Sequence, residues 1–107
     1  MHLPYTARTA TGDQFEIQFS LHKDTEDAVK VHQLLTTILA KIDEELAVLG
    51  NTSNGDVLQA CAMALAVRAR IINAPAKTLR EISMDLVGVA LDATAEANRQ
   101  SPPAGHG

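Results

Sequence analysis

Large aromatic rings are nearly missing from this 107-residue chain, which has no Trp, one Tyr and two Phe. A core without them must be built from Leu, Ile, Val and Ala, the vocabulary of packed helices. The same shortage removes the stacking platforms of single-stranded nucleic-acid binders. Cysteine occurs once, at Cys61, so no internal disulfide can form and a reducing, cytoplasmic setting is expected. Long apolar runs are absent too. The longest, Ala60 to Val67, is far shorter than the ~18 residues of a membrane span and reads as a buried helix segment. Basic charge is scarce: 9 Lys and Arg stand against 13 Asp and Glu, giving −4. Duplex DNA and anionic membranes are therefore poor general partners. The opening "MHLPYTART" lacks the basic-then-apolar order of a signal peptide.

What remains is ordinary for a globular protein, with 46% apolar and 21% charged residues. The length fits one domain over residues 1–100, able to hide about 65% of its extended surface. Near the start, Phe15, Ile17, Phe19 and Leu21 alternate with Gln14, Glu16, Gln18 and Ser20, the pattern of a half-buried strand. Tyr5 to Thr9 favours β structure and "ATGD" supplies a turn, so a β-hairpin is expected. Two strands alone are barely stable in water; the hairpin must lie on helices or pair with another edge.

Three helices should follow, giving an α+β, mainly helical fold. The first is capped by Asp24 or Thr25, carries Ala28, Val31, Leu35, Ile38, Ile42, Leu46 and Leu49 as a stripe, and stops at Gly50. Leu34 and Leu39 widen that stripe. The second, about Val57 to Asn73 with Asp56 as its cap, has two apolar stripes. Leu58, Cys61, Leu65 and Ile72 make one; Ala60, Met63, Val67 and Ile71 make the other. A surface helix needs one greasy face, so two faces predict contact on both sides and a place in the middle of the packing. After Pro75, Thr78 and Glu81 form a capping box for the third helix, whose stripe includes Leu79, Ile82, Leu86, Val89, Ala90 and Ala93. Gly88 inside it costs roughly 1 kcal/mol against Ala, which a close helix crossing would explain. The tail "SPPAGHG", residues 101–107, reads as disordered.

Signals for chemistry are few. His2, His22, His32 and His106 show no metal-ligand spacing, so no metal and no cofactor are expected. His22 ends a strand and His32 sits on the wet side of the first helix. Cys61 reads as a small core hydrophobe. No catalytic triad, nucleophile elbow or phosphate-binding glycine loop occurs, so catalytic residues are not assigned and an enzyme is not expected. Asp43, Glu44 and Glu45 fan out around a helix and read as a solvated face. Arg68, Arg70, Lys77 and Arg80 gather near the junction of the second and third helices. They read either as snorkelling side chains or as a contact for an acidic partner surface, including that acidic run in another subunit.

"GDQFEIQFSLHKDTEDAV", the stripe of the first helix and "NGDVLQACAMALAVRARI" together resemble the head domain of ZapA-type bacterial cell-division proteins. The resemblance covers roughly Tyr5 to Ile72 and implies dimerisation through the heads and cross-linking of filaments of a tubulin-like division protein. After Asn73 the chain departs from that pattern, because Pro75 interrupts the place of a continuous coiled-coil helix.

The residues therefore predict a small protein-interaction module that self-associates, as a dimer, through Leu58, Cys61, Met63, Leu65, Val67, Ile71 and Ile72. A ZapA-like filament regulator is the second expectation. A carrier or enzyme with a pocket between helices is the third.

Overall fold

The computed structural model describes residues 1–101. Strands β1 (His2–Arg8) and β2 (Gln14–Ser20) form the expected antiparallel hairpin, followed by helices α1 (Ala28–Leu49), α2 (Asn54–Ile71) and α3 (Ala76–Ala95). The architecture is α+β and mainly helical. A short third strand, β3 (Asn98–Gln100), returns to pair antiparallel with β2, giving the sheet order β1-β2-β3. Nothing in the sequence predicts this strand, because three polar residues carry no alternating pattern. The tail expected to be disordered, residues 101–107, lies outside the described residues save for Ser101.

Tyr5 pairs with Ile17, Leu3 with Phe19 and Ala7 with Phe15, so one face of the hairpin is apolar. Tyr5 and Ile17 are buried there, and Leu3, Ala7, Phe15 and Phe19 are half-buried. Gly12, with φ of 91°, lets the connecting loop turn back, and the Thr9 hydroxyl accepts from the Asp13 amide to close it. Helix α1 packs against β1 and α3 against β2. The Tyr5 hydroxyl bonds that of Thr36 at 3.0 Å, and its ring meets the His32 imidazole with centroids 4.9 Å apart. His32, expected to point wholly to water, thus also braces α1 on the sheet.

Caps move the helix starts from the expected places. Asp27, not Asp24 or Thr25, caps α1: its carboxylate accepts from the Val29 and Lys30 amides, while the Thr25 amide is spent on the His22 carbonyl. Ser53, not Asp56, caps α2 by accepting from the Asp56 amide. Pro75 precedes α3 directly, its extended ψ of 141° setting the entry, and Thr78 lies inside the helix without forming the capping box. Gly50 does end α1, at φ 78°. Gly88 borders open space, since a Cβ there would meet nothing within 4 Å; the expected close crossing is not made in the single chain.

Arg99 fastens β3. Its Nε donates to Asp13 Oδ2 at 3.2 Å, its Nη2 pairs with the same oxygen, and its guanidinium lies 5.3 Å from the centre of the Phe15 ring. The Arg99 hydrogen bond, with a second from Ser101 and the Arg99 charge, holds the Asp13 carboxyl below its ordinary 3.8 against the opposing effect of burial. A carboxylate depressed in the folded state stabilises fully above its unfolded value and loses that contribution as pH falls through the folded one. Asp13→Asn should therefore be less stable than wild type near neutral pH, with the gap closing below 3.8. Urea midpoints of both proteins across that range check this; a gap independent of pH would remove the charge from the account.

Candidate interaction surface

The chain is open for its size. Its radius of gyration is 15.7 Å, where a compact domain of this length has about 13 Å. Its accessible surface is 8600 Å², where a compact monomer of 11.4 kDa exposes about 5,800 Å². The difference is roughly 2,800 Å².

Helix α2 is the source of much of it. Among the described residues it packs against α3 and no other element. The expectation that α2 lies in the middle of the packing is thus corrected: in the single chain it is an outer helix. The apolar run Ala60 to Val67 is exposed along its length, and Cys61, expected in the core, is exposed with it. The physical reason is topological. Pro75 and the short connection before it fold α3 onto α2, α3 spends its other side on β2, and α1 stays on β1 without reaching either helix. One neighbour cannot cover two stripes.

Met63, Val67 and Ile71 are 58%, 62% and 63% exposed on the side of α2 away from α3, and Leu58 and Ile72 are exposed as well. On the side that meets α3, Ala62, Leu65, Ala66 and Ala69 form one wall of an apolar groove of about 430 Å³. Ala76, Leu79, Ser83 and Val87 of α3 form the other wall, and Leu79 is buried at its base. The alanines keep the α2 wall low, which is what close approach of a third helix requires, while Met84 stands exposed on the α3 side.

Of the four basic residues singled out, the fold brings Arg70 and Arg80 together at one end of this groove. Arg68 does not line it, and Lys77 faces Glu81 of its own helix at 4.0 Å. Among the described residues neither Arg70 nor Arg80 has an ion-pair partner. Glu44 is taken by Lys41 at 3.4 Å, while Asp43 and Glu45 have no ion-pair partner among the described residues. Those residues form no convergent acid–base site, and among the described residues no group of three or more His, Cys, Asp or Glu side chains is placed to hold a metal ion. Among the described residues no helix is long and apolar enough to cross a membrane. Sequence reasoning missed the Asp13–Arg99 clasp, because the partners lie 86 positions apart and β3 has no signal of its own. Compared with known proteins, the chain matches no family model, no curated protein and no solved structure.

Proposed function

We propose that this protein is a small interaction and assembly module that acts as a homodimer, with α2 at the interface. The observation that carries this is the exposure of both apolar stripes of α2 in a chain whose buried apolar side chains, among the described residues, are Tyr5, Ile17 and Leu79. Exposed apolar patches beyond a few hundred Å² mark interaction sites in soluble proteins. Covering half of the excess on two chains would bury about 2,800 Å², within the ~2,000–5,000 Å² of obligate homodimers. Light scattering at micromolar concentration should return twice 11.4 kDa; a monodisperse single-chain mass would overturn the proposal.

A filament regulator of the ZapA kind is the second assignment, favoured by the order of hairpin, long α1 and Ala-rich α2. Its test is co-sedimentation with polymer of the tubulin-like division protein. Absence from the pellet would end it.

A further inference from the structure

We infer that the groove between α2 and α3 receives helix α1 of a second copy of this chain, and that the exchange is reciprocal. The inference rests on the homodimer proposed above and names the segment that fills its interface.

Helix α1 has an apolar stripe that its own chain uses only in part. Ala28, Leu35, Ile42 and Leu46 are half-buried, whereas Leu34, Ile38 and Leu49 are 63%, 55% and 68% exposed. The exposed residues share one helix face with Glu45 and Lys41, since they lie three or four residues, or two turns, from one another, and the Lys41 ammonium is drawn aside to Glu44 at 3.4 Å. Lys41 being taken by Glu44, Glu45 has no ion-pair partner among the described residues, and a surface that covers this face has to supply it a cation. The groove offers that combination in mirror image: small and apolar walls, with Arg70 and Arg80 at one end.

Lengths agree as well. With Glu45 set against the two arginines, a rise of 1.5 Å per residue places Ile38 about 10 Å further along. Val87 lies the same number of residues from Arg80 and sits near the opposite end of the groove. Leu34 then extends past it. Polarity is also favourable. The last turn of α1 contains no basic residue, so its negative end is uncompensated within the chain, and the arginines would supply the positive charge. Intrachain filling is ruled out by topology, because α1 lies on β1 and does not reach α2 or α3. In a two-fold dimer each copy gives one helix and receives one, which closes the assembly.

Charge exchange tests this. Glu45→Lys alone, and Arg70→Glu with Arg80→Glu, each set like charges face to face at both ends of the dimer, and each should weaken association at least about tenfold. Mixed in equal amounts, the two variants regain opposite charges at both contacts and should form a heterodimer, read by native mass spectrometry. If Glu45→Lys dimerises like wild type, or if the mixture stays monomeric, the exchange is overturned while the homodimer stands. A monomeric wild type overturns both. Should the double arginine variant fail to fold, Ile38→Cys with Val87→Cys in a Cys61→Ala background gives the same decision: mild oxidation should yield covalent dimer, and a purely monomeric product overturns the exchange.

Discussion

Leu79→Ala should cost about 2–5 kcal/mol, the range for truncating a buried Leu, and leave little folded protein at 37 °C. Leu79 is 8% exposed at the base of the groove, on the helix that alone joins α2 to the sheet. Total stability of a small domain is about 5–15 kcal/mol, and this chain has few fully buried apolar side chains among which to spread the loss. Val29→Ala is the control. Val29 is 74% exposed on the side of α1 away from the Leu34–Ile38 stripe, and its truncation should stay within about 0.5 kcal/mol. Urea titration of the three proteins decides the matter; a Leu79→Ala loss comparable to that of Val29→Ala would mean the α2–α3 contact contributes little.

Leu65→Asp should abolish the dimer and, with it, much of the thermal stability. Leu65 is 39% exposed in the single chain, on the groove wall. An aspartate there would be reached by water in an isolated chain and would cost little. Under a second copy the same carboxylate loses its hydration without gaining a partner, a penalty of several kcal/mol at each of two equivalent sites. The size of the effect therefore separates the two situations. A fold coupled to association also melts at a temperature that rises with protein concentration, by about 1.4 kcal/mol of apparent stability per decade. Wild type should show that dependence and Leu65→Asp should lose it. Wild-type mass and melting in the variant would place Leu65 outside any interface.

Legibility differed sharply between local and long-range features. The hairpin was readable because Phe15, Ile17 and Phe19 alternate, and the pleat turns alternation into one apolar face, here the face that buries Ile17. The three helices were readable from their three- and four-residue steps and from Gly50 and Pro75 as stops. Their starts were misplaced by a few residues, because several side chains near each start could cap and only the realised backbone selects Asp27 or Ser53. Strand β3 was not readable at all. Asn98, Arg99 and Gln100 have no strand signature and become one through the edge of β2 and the Asp13 carboxylate.

For the candidate surface, the sequence alone determined that α2 carries more apolar area than one neighbour can cover, since composition and helical period fix which side chains share a face. Where that area ends up was decided by the tertiary structure. The connection at Pro75, the allegiance of α3 to β2 and the seat of α1 on β1 leave α2 at the rim, and bring Arg70 and Arg80 to one end of a groove. Periodicity is a property of a segment by itself, whereas burial and charge pairing depend on which segments the chain can bring together in space.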